Sequence, residues 1–341
     1  MKEEDSLQFN DRENGISFRE YLPEDYEPFL ACINDFYRGG YPYKEYLDPD
    51  YLAKETRSGN MIVTVAVTEG GKIVGTSAAQ RASGAFYGSV LLLLRCVLSE
   101  YRGKGIGSRQ EYYLFDLISK RFADAISLYA DVMTHDAASQ KTLVKNGFTL
   151  CGLRMMLYKN DVIVPALGFP AGTKMTQAIY CKAMRAADVS LCKIPEHLEA
   201  VRAIYESLGV GYGFVEDGGV RTDSSQFSYQ TVEIHKKTEF TVDTVGKDFD
   251  DTLIKCVKEK LRGGQTLVAY INLCRDGCGE AVRKLKAEGF FFSGMKPLSA
   301  SGEYLVMSHI KNCVSSFDII KVPEDKQKFL DDVIGGIGNE E

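Results

Sequence analysis

Apolar positions along the first 184 residues follow two periods, which predict an alternation of strands and helices. Unbroken runs of β-branched and other apolar residues are typical of buried strands, and apolar residues three or four positions apart are typical of one helix face. Strands are predicted at 16–21, 62–68, 73–80, 90–98, 125–133, from Phe148 onward and at 176–184, and helices from Pro23, before Gly59, at 108–122 and at 137–146. The order β-α-α-β-β-β-α-β-α-β, closed by a last strand, indicates an α+β (mixed α/β) fold with a central mixed sheet flanked by helices.

The pattern after residue 184 repeats part of the first half in shortened form. The spacing in Gly289-Phe290-Phe291-Phe292-Ser293-Gly294 matches that in Gly147-Phe148-Thr149-Leu150-Cys151-Gly152, and each run follows a predicted helix. Such repetition is typical of a duplicated domain, and the alternative is a chance recurrence of Gly-Phe. The predicted organisation is a polar tail at 1–15, a first domain at 16–184, a smaller second domain at 185–312 with a flexible glycine-rich loop at 210–225, and a C-terminal helical extension at 313–341.

A glycine-rich segment lies where the predicted strand 90–98 gives way to a predicted helix. The segment reads Tyr101-Arg102-Gly103-Lys104-Gly105-Ile106-Gly107. Unpaired backbone N–H groups at a helix N-terminus favour phosphate oxygens, and glycine lets the backbone approach an anion closely. Arg102 and Lys104 add positive charge. The turn therefore predicts a binding site for a phosphorylated ligand.

The spacing of these glycines limits which class of phosphate-binding loop this turn can belong to. A Walker loop needs Gly-x-x-x-x-Gly-Lys-Ser/Thr and a dinucleotide turn needs Gly-x-Gly-x-x-Gly, whereas here the glycines alternate at 103, 105 and 107. A strand, an Arg-Gly-x-Gly-x-Gly segment and a helix in this order resemble the pyrophosphate loop of GNAT, the GCN5-related N-acetyltransferase superfamily. The resemblance extends over about residues 16–184. It implies the GNAT fold and acetyl-coenzyme A (acetyl-CoA) as co-substrate.

A second motif supports the resemblance in architecture but departs from it in chemistry. After the strand 125–133 the family usually shows Asn-x-x-Ala-x-x-Leu-Tyr-x-x-x-Gly-Phe. This chain keeps the Gly-Phe pair but has Asp136, Ser139, Thr142 and Leu143 at the other positions. In the family that tyrosine is often the general acid for the departing thiolate. Leu143 takes its place here and has no proton to donate.

The resemblance also implies which residues bind acetyl-CoA. The pantetheine arm would lie between the splayed strands 90–98 and 125–133. The backbone N–H groups of Val97, Leu98 and Ser99 would hold the arm and the thioester carbonyl oxygen, and an oxyanion donor of this kind contributes about 3 kcal/mol or more. The pyrophosphate loop and the second motif would supply the other contacts, through Arg102, Gly103, Lys104, Gly105, Ile106, Gly107, Ser108, Asp136 and Ser139.

Candidates for proton transfer near the missing tyrosine are Tyr129, Asp131 and His135. Tyr129 and Asp131 share one face of a predicted strand. The neutral-range pKa of an imidazole suits a general base, and the alternative for His135 is a polar residue in a helix-capping turn. A thiolate, with a pKa of about 8.5, can also leave without a general acid.

An aromatic stretch after the first predicted helix is a candidate for the acceptor pocket. Tyr37, Tyr41 and Tyr43 could bind an amine by cation–π contact, together with the loop at 161–172. Ordinary packing of the three rings is the alternative. The acceptor would be a small-molecule or peptide amine.

The second half differs at its own strand-to-helix turn, which reads Val245-Gly246-Lys247-Asp248-Phe249-Asp250-Asp251. Aspartate favours the start of a helix, but three carboxylates would repel a pyrophosphate. The second domain is therefore predicted to be a degenerate GNAT-like unit that binds no CoA.

Composition excludes several other classes of protein. The 341 residues are 45% hydrophobic with a net charge of −6, and without a basic stripe they predict neither nucleic-acid nor acidic-membrane binding. The polar first residues and the lack of a long apolar run predict no signal peptide and no membrane span. Nine scattered cysteines indicate reduced thiols in the cytoplasm, and no metal is expected because Cys274 and Cys278 have no second Cys/His pair nearby.

Three hypotheses follow from the sequence. The first is an acyl-CoA-dependent N-acyltransferase that transfers acetyl to an unidentified primary amine. The second is a non-catalytic module that binds or senses acyl-CoA, consistent with Leu143, and the third is a nucleotide-binding protein. Thiol release with a panel of amines separates the first two, and the sequence carries no signal of oligomeric state.

Overall fold

The computed structural model describes residues 15–135, 137–163, 167–170, 172–310 and 317–337. The chain divides into two compact units. Unit 1 consists of Met1–Ala82, Val90–Ala125 and Ile163–Phe169, and unit 2 of Ser83–Ser89, Ile126–Val162 and Pro170–Glu341, as far as each range is described. This division does not decide the sequence-based domain boundaries, which stay predictions.

The helices and strands are numbered in chain order. The helices are α1 (Tyr26–Tyr37), α2 (Pro49–Arg57), α3 (Ile106–Arg121), α4 (Ala138–Lys145), α5 (Asn160–Ile163), α6 (Leu198–Leu208), α7 (Lys255–Arg262), α8 (Cys278–Ala287) and α9 (Gln327–Gly335). The strands are β1 (Ile16–Glu20), β2 (Met61–Thr68), β3 (Ile73–Arg81), β4 (Ser89–Val97), β5 (Ser127–Met133), β6 (Thr149–Lys159), β7 (Lys174–Ala183), β8 (Asp188–Cys192), β9 (Gly211–Val215), β10 (Gln226–Val232), β11 (Lys237–Thr244), β12 (Thr266–Asn272), β13 (Phe291–Ser299) and β14 (Gly302–His309).

Unit 1 contains antiparallel strands in the order β1-β2-β3-β4. Side chains alternate between the two faces of a strand, so neighbouring residues of β2 contact different helices. Val63 lies in one buried cluster with Phe29 and Ile33 of α1. On the opposite face, the Thr64 carbonyl accepts a 3.0 Å hydrogen bond from the Gln110 side chain of α3. Helices therefore cover both faces of this sheet.

Strand β4 carries a bulge near its C-terminal end. Leu94 has a left-handed φ of 56°, which is uncommon for a residue other than glycine. The register of β4 against β3 shifts between Thr76 and Ala78. The Thr76 hydroxyl donates a 2.6 Å hydrogen bond to the Leu94 carbonyl and holds the bulge in place. The side-chain alternation of β4 therefore changes just before the glycine-rich turn.

Unit 2 contains a mixed sheet with strands in the order β5-β7-β6-β13-β14-β12-β11-β10. Neighbouring strands are antiparallel except β11 and β12, which are parallel. Strands β8 and β9 form a separate parallel pair. Helices α6 and α9 contact β13, and α8 contacts β12. Most side chains of β6, β12, β13 and β14 are buried, so this sheet forms the centre of the unit.

Two segments of unit 2 share the same local geometry at the end of a helix. After α4, the Phe148 N–H donates to the Leu143 carbonyl at 3.0 Å, and after α8 the Phe290 N–H donates to the Leu285 carbonyl at 3.1 Å. The glycine before each phenylalanine is left-handed, with φ of 80° and 84°. Both leucines are fully buried. The two Gly-Phe pairs thus end their helices in the same way.

The same two segments meet in the middle of the sheet. Gly152 of β6 is paired with Gly294 of β13. A Cβ on Gly294 would lie 2.3 Å from the Gly152 Cα, so glycine permits this close approach. Further along the two strands, Met156 and Leu298 both have left-handed φ, of 49° and 59°. The strand order is mirrored outward from this pair. Strands β7 and then β5 lie beyond β6, and strands β14 and then β12 lie beyond β13.

The predicted α+β class, with a mixed sheet flanked by helices, is confirmed. One local prediction is wrong: within the predicted flexible loop at 210–225, residues Gly211–Val215 form strand β9. The alternation of glycine with Tyr212 and Phe214 is a strand pattern that the glycine count obscured. Most of the predicted tail at 1–15 lies outside the described residues. No helix in the described part of the chain has the length and apolarity needed to cross a bilayer.

Candidate active site

The glycine-rich turn joins β4 to α3 through left-handed glycines. Gly103 has φ of 77°, and Gly105, the last residue before α3, has φ of 71°. A side chain at either position would strain the backbone. A Cβ on Gly105 would also lie 3.0 Å from the Arg109 guanidinium. The turn therefore needs glycine for its conformation.

The backbone N–H groups of this turn are open. Within the described residues, none of the N–H groups of residues 103–108 has a hydrogen-bond acceptor, and the Arg109 N–H is the first to bond back, to the Gly105 carbonyl at 3.2 Å. Lys104 is exposed beside them. Open N–H groups at the positive end of a helix dipole favour an anion. The geometry therefore suits a phosphate group.

Arg109 is a further cation at this turn, and the sequence reasoning missed it. Its guanidinium donates a 2.9 Å hydrogen bond to the Lys104 carbonyl, which holds it against the turn. Its spacing from Gly105 could have indicated this, because side chains four positions apart in a helix are neighbours, so the Arg109 side chain lies next to the glycine turn.

Arg102 is engaged within the protein. Its guanidinium forms a 2.7 Å ion pair with Asp35 of α1, and its Nε donates to the Val97 carbonyl at 2.8 Å. Asp35 also accepts a 2.9 Å hydrogen bond from the Ser99 N–H, and the Leu98 N–H donates to a carbonyl of β3 at 3.0 Å. The predicted pantetheine donors Leu98 and Ser99 are therefore occupied, and holding a ligand would require exchange of these bonds.

The predicted acceptor tyrosines form an aromatic row in unit 1. The Tyr37 and Tyr41 ring centroids lie 5.0 Å apart, and those of Tyr41 and Tyr43 lie 6.1 Å apart, both edge to face. Tyr41 is 5% exposed, and burial raises its pKa well above the ordinary value. Tyr37 and Tyr43 pack against the same core. Core packing accounts for the three rings, and the amine pocket stays a prediction.

Two predicted catalytic residues, Tyr129 and Asp131, lie on one face of β5 in unit 2. Asp131 Oδ2 forms a 2.9 Å ion pair with Arg154 Nη2, and the two side chains are 9% and 5% exposed. Arg154 also donates to Gln177 Oε1 at 2.7 Å. Asp131 Oδ1 is buried and has no hydrogen-bond partner among the described residues. A buried oxygen of this kind can accept a hydrogen bond from a ligand.

A second carboxylate, which is half-buried, extends this network. Glu239 of β11 accepts hydrogen bonds from Lys237 at 2.8 Å and from Tyr270 at 2.7 Å, and lies 3.8 Å from Arg154. Burial by itself would raise the pKa of Glu239, but Lys237 and Arg154 lower it to about 2. Glu239 is therefore a fixed anion at neutral pH.

A buried lysine completes the cluster. Lys296 of β13 points its ammonium at aromatic rings, 3.5 Å from the Phe86 centroid, 5.2 Å from Tyr129 and 5.9 Å from Tyr270. Burial, with the nearby positive charge of Arg154, lowers the pKa of Lys296 to about 8. The sequence reasoning missed Arg154, Glu239 and Lys296 because strand pairing alone brings them together.

The remaining predicted residues have different surroundings. Tyr129 is 1% exposed, and burial raises its pKa well above the ordinary value, so the phenol keeps its proton. His135 is half-buried in the turn after β5, and Ser139 is half-buried in the first turn of α4. Asp136 lies outside the described residues. The catalytic roles of these residues stay predictions.

Leu143, at the position of the usual tyrosine, is fully buried. Its carbonyl accepts the N–H of Phe148, so it belongs to the helix stop described above. Its side chain therefore packs in the protein core.

The strand-to-helix turn of the second half is closed by the segment 222–225. The N–H groups of Gly246, Lys247 and Asp248 donate to acceptors in that segment at 2.9, 3.0 and 3.3 Å. The Asp248 carboxylate in turn accepts the Ser225 N–H at 2.7 Å. Three N–H groups at the start of this turn are therefore already used, whereas those of residues 103–108 in the first turn are open.

One group of possible metal ligands occurs in the described part of the chain. It consists of Cys192, Asp217 and Cys278, whose ligand atoms lie within 4.8 Å of one another. The Asp217 carboxylate already accepts the N–H groups of Gly277 at 2.6 Å and Gly279 at 2.8 Å. Burial raises the pKa of both thiols, and a metal prefers the thiolate. Capping of α8 explains this trio better than a metal site does.

Comparison with known proteins identifies the class of the first part of the chain. Residues 20–148 match the family model described as "Acetyltransferase (GNAT) family". The chain therefore carries a GNAT acetyltransferase domain over these residues, and the predicted family is confirmed. Members of this family generally use acetyl-CoA. The comparison with curated proteins found no match.

Solved structures similar to this chain include several acetyltransferases. An acetyltransferase of GNAT family from Streptococcus pneumoniae is 19% identical, with a TM-score of 0.41, over 49% of this chain and 99% of its own. A ribosomal-protein-alanine N-acetyltransferase from Brucella melitensis is 24% identical, with a TM-score of 0.38, over 49% and 98%. A ribosomal-protein-S5-alanine acetyltransferase from Vibrio fischeri is 17% identical, with a TM-score of 0.39, over 50% and 93%.

Proposed function

We propose that this protein is an acyl-CoA-dependent N-acyltransferase that transfers acetyl from acetyl-CoA to a primary amine. The observation that carries the proposal is the row of open N–H groups at residues 103–108, inside the segment that matches the GNAT family. These groups would bind the pyrophosphate of CoA. Lys104 and Arg109 would add positive charge beside it.

The chemistry requires an amine nitrogen to attack the thioester carbonyl, after which the carbon–sulfur bond breaks. The amine loses a proton in the process, and the departing thiolate can take one up. Asp131, with one oxygen held by Arg154 and the other buried without a hydrogen-bond partner among the described residues, is suited to hold the incoming ammonium. The protonated phenol of Tyr129 is suited to donate to the thiolate, and His135 is suited to act as the base.

We also propose that the second half of the chain is a degenerate GNAT-like domain without a CoA of its own. Support comes from the matching helix stops at Phe148 and Phe290, and from the pairing of Gly152 with Gly294. The closed turn at Gly246 supports the loss of CoA binding. In this reading, the second half contributes Lys237, Glu239 and Lys296 to the charged residues around Asp131 and Arg154.

Turnover with a panel of primary amines, read as release of free thiol from acetyl-CoA, tests the proposed reaction. We expect release with at least one amine, and we expect Asp131→Asn to lower turnover while CoA affinity stays unchanged. A general acid or base raises the reaction rate about 10²–10⁴-fold, so a variant that lacks the proton-transfer group should show a measurable fall in turnover. Tyr129→Phe and His135→Ala decide which of the two transfers a proton.

A non-catalytic acyl-CoA sensor is the second candidate, favoured by Leu143 in the place of the usual tyrosine. Tight binding of acetyl-CoA without thiol release for any amine between pH 6 and pH 9 would support the sensor and rule out the transferase. Competition by ATP or NAD against CoA would instead support a nucleotide-binding protein.

A further inference from the structure

The buried cluster on the sheet of unit 2 has an excess of positive charge. Its cations are Arg154, Lys237 and Lys296, and its anions are Asp131 and Glu239. Arg154 pairs with Asp131, and Lys237 pairs with Glu239. With these two ion pairs formed, Lys296 has no carboxylate partner of its own. A buried cation is costly unless a counter-ion accompanies it.

Among the described residues, no carboxylate lies within ion-pair distance of Lys296, although Asp131 and Glu239 act on its charge from farther away. In the part of the chain that the structure describes, its ammonium forms no ion pair and no hydrogen bond, and it faces the rings of Phe86, Tyr129 and Tyr270. Cation–π contact stabilises the charge, but an ammonium has three N–H donors that rings leave unpaired. Lys296 is 7% exposed, so bulk water cannot fully replace an acceptor.

A second polar group without a hydrogen-bond partner lies in the same network of charged residues. Asp131 Oδ1 has no hydrogen-bond partner among the described residues, although its side chain is nine-tenths buried. Tyr129, two residues earlier on the same face of β5, forms one wall around Lys296. The Tyr129 hydroxyl also has no hydrogen-bond partner among the described residues, so the cluster presents unmatched donors at Lys296 and Tyr129 and an unmatched acceptor at Asp131. Phe86, whose ring also faces Lys296, is half-buried.

We infer that the amine acceptor of the proposed acetyl transfer also carries a carboxylate, so that a free amino acid or a similar zwitterion binds this cluster. The carboxylate would pair with the Lys296 ammonium, and the amine would donate to Asp131 Oδ1. The rings of Phe86, Tyr129 and Tyr270 would contact the apolar part of the molecule. This inference rests on the proposed function but concerns binding, which can be measured without turnover.

The test compares each of the protein L-amino acids with the amine formed by removal of its carboxyl group, such as L-phenylalanine with 2-phenylethylamine. Binding is measured by thermal shift and calorimetry on the full chain, with and without CoA. We expect at least one amino acid to bind about tenfold or more tightly than its matched amine, because a buried charged hydrogen bond is lost with the carboxylate. Equal affinity within every pair, or no binding by any amino acid, would overturn the inference.

A matched pair of variants then assigns the effect to Lys296. Lys296→Met removes the ammonium and should abolish the preference for the carboxylate, whereas Lys296→Arg should retain part of it. Lys260→Met is the control, because Lys260 also lies over a tyrosine ring, at 5.0 Å from the Tyr229 centroid, but outside the cluster. A preference that survives in Lys296→Met would contradict the assignment. The wild-type comparison of matched ligands decides the inference even if Lys296→Met does not fold.

The outcomes for binding and for turnover separate the two proposals. Binding of a zwitterion without thiol release would support the site and contradict the transferase. Thiol release with plain amines, without any preference for a carboxylate, would support the transferase and contradict the site.

Discussion

The two strand-to-helix turns of this chain, the first with left-handed glycines and the second without them among the described residues, differ in whether their backbone N–H groups are hydrogen-bonded. The first, around Gly105, leaves the N–H groups of residues 103–108 open. In the second, around Gly246, the segment 222–225 accepts hydrogen bonds from the N–H groups of Gly246, Lys247 and Asp248. The difference teaches that a glycine turn before a helix is an anion site only while no other part of the chain supplies the acceptors.

Two of the three aspartates of the second turn, Asp248 and Asp250, make structural contacts. The Asp248 carboxylate accepts the Ser225 N–H at 2.7 Å and so fastens the closing segment. Asp250 forms a 2.6 Å ion pair with Lys284 of α8. Repulsion of a pyrophosphate by these charges, which the sequence predicts, would add to a closure that hydrogen bonds already provide.

The largest effect is expected at the open turn. Gly105→Asp places a carboxylate beside the proposed pyrophosphate site and should weaken acetyl-CoA binding about a hundredfold, or about 3 kcal/mol, by calorimetry. Gly264→Asp is the matched control, because Gly264 is also left-handed, at φ of 70°, with open space around it. Unchanged affinity in a folded Gly105→Asp protein would show that this turn does not bind CoA.

The next largest effect is a difference in protein stability between glycine-to-alanine variants at the two turns. A Cβ on Gly246 would lie 2.3 Å from the Ser224 backbone, so Gly246→Ala should lower the free energy of unfolding by about 3 kcal/mol. A Cβ on Gly103 meets nothing within 4 Å, so Gly103→Ala should cost only the strain of its left-handed φ, about 1 kcal/mol. Urea unfolding of both variants measures the difference. Equal losses would mean that the closing segment does not pack as the structure has it.

The matching helix stops allow a third prediction. Leu143 and Leu285 are both fully buried, so Leu143→Tyr and Leu285→Tyr should each lower the free energy of unfolding by about 2 kcal/mol through overpacking. The sequence alone suggests that tyrosine at 143 restores a general acid, but its burial makes a gain in turnover unexpected. Increased turnover in a stable Leu143→Tyr protein would show that position 143 reaches the reacting groups.

Local patterns in the sequence were sufficient for much of the fold but not for the buried cluster. The strands around the glycine turn follow from apolar runs, because these are short-range signals, whereas the helix predicted at 108–122 spans Ile106–Arg121. The positions of Arg154, Glu239 and Lys296 could not be predicted, since each depends on which strands become neighbours in the sheet. The closure of the second turn by residues 222–225 depends on a similar long-range contact.

The smallest effect concerns the lysines of the two turns. Lys104→Ala should weaken acetyl-CoA binding about fivefold, an effect that decreases as salt increases, because the charge is exposed and screened. Lys247→Ala should leave affinity unchanged, since Lys247 pairs with Asp223 at 2.7 Å in the closed turn. A comparable loss in both variants would indicate that both turns bind the ligand.

The stoichiometry of acetyl-CoA binding tests the comparison most directly. Calorimetric titration of the full chain should give one molecule of acetyl-CoA per chain, lost in Gly105→Asp and retained in Lys247→Ala. The open turn accounts for that single site, and the closed turn accounts for the lack of a second one. A value of two per chain, or a single site that survives in Gly105→Asp, would contradict the account.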